Sequence, residues 1–306
     1  MRFPVPCWMG AHAPPSGGLL RIIGLAALLG LTGLLTACSV VKIAYNQAHE
    51  LAYLQLDGYL DFNGAQTLRL KDELVKIQRW HRSTQLPAYA ERLKKWQRLL
   101  PGELDEVQVC SAGEEVRSSL LAISRRTESI VAELAVTLSP DQLKFLQGKF
   151  LKLNQEYRND FLEGPSSALL DKRLKKTVNR AEMLYGTLTD KQVALLRRQM
   201  ALSAFDAGMS LAEYQRRQQD ALQTLAPLIT GGATSAQTKS AVSGYFERSL
   251  NSPSPAYRRH QEQLTRDNCR MLALLHNSTS PAQRAKAVET LGDYAQDFRI
   301  LASQDF

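Results

Sequence analysis

The sequence predicts an all-α protein, an elongated multi-helix bundle that follows a cleaved lipoprotein signal peptide. Three observations carry that prediction. Apolar residues recur at spacings of three and four along most of the chain, no useful stretch alternates with a period of two, and the N-terminus joins a short apolar run to small residues and a cysteine.

The leader comes first. Arg2 and Arg21 flank a Pro- and Gly-rich segment, and Ile22 to Leu35 is an apolar run of 14 residues. A spanning helix needs about 20 apolar residues, whereas a secretory signal needs only about 7–15 and a small-residue cleavage site. Leu35-Thr36-Ala37-Cys38 has the form of a lipobox. Chemistry requires the cysteine there: its thiol takes a diacylglyceryl group before cleavage, and its freed amine is then acylated. Several acyl chains anchor stably where a single chain is marginal. The expected layout is a signal peptide over 1–37, a lipidated N-terminus and tether over 38–45, and a single helical domain over 46–306, held to the lipid bilayer through Cys38. Ser39, in place of an aspartate, resembles lipoproteins sorted to the outer membrane. The implied location is the inner leaflet of that membrane, facing the periplasm.

Losing Arg2 and Arg21 but none of the 30 acidic residues takes the net charge from +8 to +6 over the remaining 269 residues. In an envelope this mild excess points to an anionic lipid, a cell-wall polymer or an envelope protein as partner, and not to nucleic acid. With Cys7 in the leader and Cys38 lipidated, Cys110 and Cys269 are the remaining thiols. An oxidising compartment favours a bridge between them; two buried free thiols are the other reading.

Along the mature chain, Val116, Leu120, Ile123, Thr127, Ile130 and Leu134 lay one mostly apolar stripe on a long helix. Leu143, Leu146, Phe150, Leu153, Tyr157 and Phe161 form a second, and Val288, Leu291, Ala295, Phe298 and Leu301 a third. Breakers divide the helices into 41–62, 66–84, 87–99, 105–136, 140–162, 167–186, 190–206, 210–229, 235–250, 256–276 and 281–302. Pro87 either kinks a long helix or starts a new one. Gly231 to Gln237 is the best position for a hinge, although a Cys110–Cys269 bridge would cross it.

One element recurs at helix starts: Leu104-Asp105-Glu106-Val107-Gln108, Leu138-Ser139-Pro140-Asp141-Gln142, Leu188-Thr189-Asp190-Lys191-Gln192 and Thr279-Ser280-Pro281-Ala282-Gln283. Each has the chemistry of a capping box, with a side-chain oxygen for an orphan N–H and a glutamine three positions on to reach back. The Leu-Ser/Thr-x-x-Gln form also resembles the motif of the small periplasmic stress proteins Spy and CpxP, and that resemblance implies a chaperone-like surface.

Cys38-Ser39-Val40-Val41-Lys42-Ile43-Ala44-Tyr45-Asn46, Leu56-Asp57-Gly58-Tyr59-Leu60-Asp61-Phe62, Trp80-His81-Arg82, Leu86-Pro87-Ala88-Tyr89-Ala90, Gln108-Val109-Cys110 and Leu274-Leu275-His276-Asn277-Ser278-Thr279 resemble a family of proteobacterial lipoproteins of unknown function. The resemblance implies lipidation and helices, and brings no catalytic residues and no cofactor.

Two function classes follow. The leading expectation is a membrane-anchored helical binding module concerned with envelope maintenance, a Spy-like chaperone being its sharpest form. Its charged surface would be the run Lys172, Arg173, Lys175, Lys176 and Arg180. The alternative is an envelope enzyme or metal-dependent factor in which His49, Asp57, Asp61 and His81 converge. No His-Glu-x-x-His, phosphate loop or Gly-x-Ser-x-Gly elbow is present, so neither a catalytic residue nor a metal ligand is assigned.

Overall fold

The computed structural model describes residues 40–304; the leader, Cys38 and Ser39 lie outside the described residues. The chain divides into two compact units, Met1–Tyr45 and Asn46–Phe306. The described part of the first is the body of helix α1 (Val40–Asn46). The second is a multi-helix bundle: α2 (Ala48–Leu60), α3 (Gly64–Trp80), α4 (Leu86–Leu99), α5 (Glu106–Ala135), α6 (Pro140–Phe161), α7 (Ser166–Tyr185), α8 (Asp190–Leu202), α9 (Ala207–Ile229), α10 (Ser235–Leu250), α11 (Pro255–Asn277) and α12 (Pro281–Ser303). No strand occurs among the described residues, and no described helix is long and apolar enough to cross a membrane.

Pro87 neither breaks the chain nor starts a detached helix. Backbone angles stay helical from α3 through His81–Gln85 into α4, and those five residues form a π-turn in which the Leu86 N–H donates to the His81 carbonyl. Proline lacks an N–H and its ring crowds the carbonyl four residues back. A turn widened by one residue relieves both problems and keeps one rod running from α3 to α4.

Capping boxes open six helices, at Asn63/Gln66, Asp105/Gln108, Ser139/Gln142, Thr189/Gln192, Thr234/Gln237 and Ser280/Gln283. Four of them interlock in pairs. Gln192 Nε2 donates to Gln283 Oε1 (2.9 Å) and Gln283 Nε2 to Gln192 Oε1 (3.1 Å). The second proton of each amide goes to a carbonyl just before the other helix, Ser278 for Gln192 and Thr187 for Gln283. Gln66 and Gln142 repeat the pattern at the starts of α3 and α6, reaching Thr137 and Asp61 carbonyls. Each oxygen also accepts the N–H of its own N-cap residue. All four hydrogen-bonding positions of each amide are filled. Gly186, at φ 74, ends α7 and turns the chain so that Thr187 can receive Gln283.

Packing is organised along α5, whose 30 residues span about 45 Å. Near its start one core cluster gathers Leu100, Leu104, Leu188, Leu196, Leu275 and Ala287, with Leu196 and Ala287 fully buried. At its far end Ala132 and Ala135 meet Leu228 of α9 and Val242 of α10. Gly231 and Gly232 turn the chain between those last two helices, which pack on each other inside the same compact unit. A buried carboxylate reinforces that hairpin: Glu213 accepts hydrogen bonds from Arg216, Arg217 and Ser252, and Asp220 takes Arg248.

Candidate functional site

A half-open groove of about 1010 Å³ is bounded by α4, the N-terminal half of α5, α7, α11 and α12. Its walls are mainly apolar, and the α5 stripe explains them. Toward the C-terminal end the helix buries small residues against its neighbours, but Val116 and Leu120 remain 61% and 60% exposed and face the groove with Ile123. Leu272 of α11, 44% exposed, faces it from another wall. Soluble surfaces seldom carry contiguous apolar area without a use for it.

Several ties hold the walls. Cys110 of α5 and Cys269 of α11 are bonded, with Cα atoms 5.3 Å apart, and next to that bridge Glu106 pairs with Arg270 at 3.2 Å. The Asn277 side chain receives the Leu104 N–H and donates to the Leu104 carbonyl, both at 2.9 Å. Between α4 and α5, Arg92 donates to Ser119 Oγ and to the Glu115 carbonyl, while the Glu115 carboxylate accepts from Lys95 (2.5 Å) and Trp96 (3.2 Å). Burial raises the Glu115 pKa, but those two donors outweigh it and hold the group below the ordinary carboxylate value.

His81 of the π-turn, Tyr89 and Phe298 form a chain of edge-on rings at 5.4 and 6.1 Å at the margin of the groove. Burial pushes the His81 pKa below its usual value. Elsewhere on the lining, His276 is 1% exposed, with Nε2 2.9 Å from the Gly102 carbonyl and Nδ1 2.9 Å from the Tyr185 hydroxyl. The carbonyl can only accept, so Nε2 carries the proton and Nδ1 accepts from tyrosine. Burial lowers the His276 pKa and pushes Tyr185 up to about 12, and both groups stay neutral.

The four residues of the metal reading are not brought together. His49 Nδ1 lies 2.6 Å from Gln78 Oε1, at the end of the α2–α3 hairpin where His81 follows. Asp57, about 12 Å along the axis from His49, caps the Phe62 N–H, and Asp61 sits at the turn, about 18 Å away. Among the described residues no group of three or more His, Cys, Asp or Glu is placed to hold a metal ion.

The basic run lies on α7. Arg173 is half-buried with its guanidinium 3.7 Å from the Phe205 ring centroid, and burial lowers its pKa. Lys176 pairs with Asp160 at 3.7 Å and Lys172 donates to the Asn159 carbonyl. Lys175 and Arg180 are exposed, and Arg180 also lines the groove. Three of the five side chains are thus engaged with neighbours, and Lys175 and Arg180 are the exposed charges without a partner among the described residues.

Sequence reasoning did not find the groove. The signal available was the N-terminal half of the α5 stripe, Val116, Leu120 and Ile123, which lines it. Caps at Asn63 and Thr234 were overlooked because Phe62 and Ala233 stand where the other boxes have Leu or Thr.

Fold and site together define a disulfide-tied, all-α bundle with a preformed apolar groove. The chain belongs to a family of unknown function, DUF6279, whose model matches residues 58–231. That match takes in α3 to α9 and hence three groove walls, while α11 and α12 lie beyond it. No curated protein and no solved structure matches the chain significantly.

Proposed function

We propose that this protein is a lipid-anchored envelope protein, attached through Cys38, that acts as a helical binding module with the groove as its binding surface. The observation carrying the reading is the groove itself, an apolar cavity with exposed Val116, Leu120 and Leu272 and with walls already fixed by a disulfide and buried hydrogen bonds. Largely preformed apolar pockets with a few placed polar groups are the usual form of ligand sites, and this one lies at the upper end of their roughly 300–1,000 Å³ range. Its polar side chains Arg92, Glu115 and His276 all have structural partners, which suits holding a ligand better than transforming one.

The test is a fluorescence titration of the secreted Cys38→Ser form with an apolar naphthalenesulfonate probe. Saturable binding is expected, weakened at least about tenfold by Leu120→Glu or Leu272→Glu, because a carboxylate is costly to bury. Equal binding by both variants, with helicity retained, refutes the assignment. Suppression of a heat-denatured client's aggregation, run in parallel, decides whether polypeptides are accepted; no suppression rejects the Spy analogy.

A further inference from the structure

We propose that the groove takes a membrane phospholipid, its acyl chains lying along the groove and its phosphate meeting Arg180. This rests on the reading of the groove as a binding surface and names the ligand.

Dimensions come first. From Tyr89 to Leu100 the α4 wall runs about 17 Å, close to the roughly 15 Å of hydrocarbon in one leaflet. Acyl chains carry no hydrogen-bonding groups and lose nothing polar in such a space. A peptide fits less well. An extended segment brings an N–H and a C=O at nearly every residue, whereas the walls are helices whose backbone groups are already paired.

Charge points the same way. Of the charged lining residues, Glu115 is neutralised by Lys95, leaving Arg92 and Arg180 in excess. Arg92 is held by Ser119 and the Glu115 carbonyl. Arg180 is exposed and has no hydrogen-bond or ion-pair partner among the described residues. A guanidinium at the edge of an apolar trough matches a phosphate joined to acyl tails.

Position supplies the third argument. Arg82, next in sequence to groove-lining His81, donates to the Asn46 side chain at 2.7 Å and so ties the first residue of the second unit to the π-turn. Cys38 is eight residues earlier, at most about 29 Å of chain. An anchor there keeps the groove within reach of the bilayer that supplies the ligand.

The experiment uses the full chain, matured in a bacterial envelope, with the photo-crosslinking residue p-benzoylphenylalanine at Leu120, at Leu272, or at Leu151, which is 66% exposed and does not line the groove. Cells are grown in phosphorus-32 phosphate and irradiated, and the protein band is counted; the protein's own acyl anchor carries no phosphate. Label at Leu120 and Leu272 well above Leu151, released by phospholipase C and reduced about tenfold by Arg180→Glu, is the expected result. Label that resists phospholipase C, or that is unchanged by Arg180→Glu, overturns the proposal. Crosslinks to polypeptide in place of label overturn the lipid assignment and keep the groove as a binding surface. No adduct of either kind at both groove positions removes both readings.

Discussion

Replacing Gln192 and Gln283, singly and together, tests the interlocked caps at the starts of α8 and α12. Gln192 is 3% exposed, and its amide holds the Thr189 N–H, the Ser278 carbonyl and both polar atoms of Gln283. Gln192→Ala removes one capping interaction, about 0.5–2 kcal/mol, and leaves the Ser278 carbonyl and the Gln283 amide each short of a partner, about 1–3 kcal/mol. A total of about 1.5–5 kcal/mol is expected. Gln283 is half-buried and water can replace part of what is lost, so Gln283→Ala should cost about 1–3 kcal/mol. Each single change already breaks both reciprocal amide bonds, and the double variant should therefore fall short of the summed costs by about 1–2 kcal/mol. Equilibrium urea unfolding followed by helicity measures all three, with an unchanged m-value as the check that unfolding stays comparable. Additivity within about 0.5 kcal/mol refutes the interlock and reduces both glutamines to separate caps.

Three further outcomes are expected. Cys110→Ser with Cys269→Ser frees a loop closed across a separation of 159 residues, and in the chain-entropy treatment lowers stability by up to about 5 kcal/mol; a urea midpoint unmoved by reductant contradicts this. His276 and His81 have folded pKa values below the unfolded value near 6.5, so the stability they contribute is complete above that value and declines as pH falls below it toward the folded values. Urea midpoints should thus drop between about pH 7 and 5.5, less steeply in a His276→Gln variant; equal slopes exclude His276 as a source. Leu196→Ala, at a fully buried position of the first core cluster, should cost about 2–5 kcal/mol, and a loss under about 1 kcal/mol would mean the site collapses around the smaller side chain.

Helices were legible because their signals are local. Ser139, Thr189 and Ser280 announce their own caps, prolines stand at first helical positions, and the α6 and α12 stripes turn inward as periodicity suggests. Pairing was not legible. Nothing within Thr189-Asp190-Lys191-Gln192 says that its glutamine meets Gln283, since that depends on which helix starts lie side by side. The placement of His49, Asp57, Asp61 and His81, which the alternative reading needs to converge, is likewise set by pairing: the α2–α3 hairpin puts His49 beside Gln78 and leaves the aspartates toward the opposite turn. The π-turn was open to reasoning from Pro87 only as a need for relief, not as the form the relief takes.

The groove follows from asymmetry along α5. In its last turns Ala132 and Ala135 present small side chains, so α9 and α10 approach closely and Leu228 and Val242 complete a dry contact. Toward the other end Val116 and Leu120 are too large for such an approach, and the neighbouring α11 is fixed farther back, at Cys110, by the disulfide. Arg92, bound to Ser119, sets α4 against the same helix from the other side. With both neighbours tied at their contact points, collapse onto Val116 and Leu120 would break the Arg92–Ser119 bond, the Glu106–Arg270 pair or the packing beneath Leu275. Ala132 and Ala135 lie off the Val116–Leu134 stripe, on another face of α5, so core and groove are separated by which face of the helix each neighbour meets and by the ties that hold those neighbours in place.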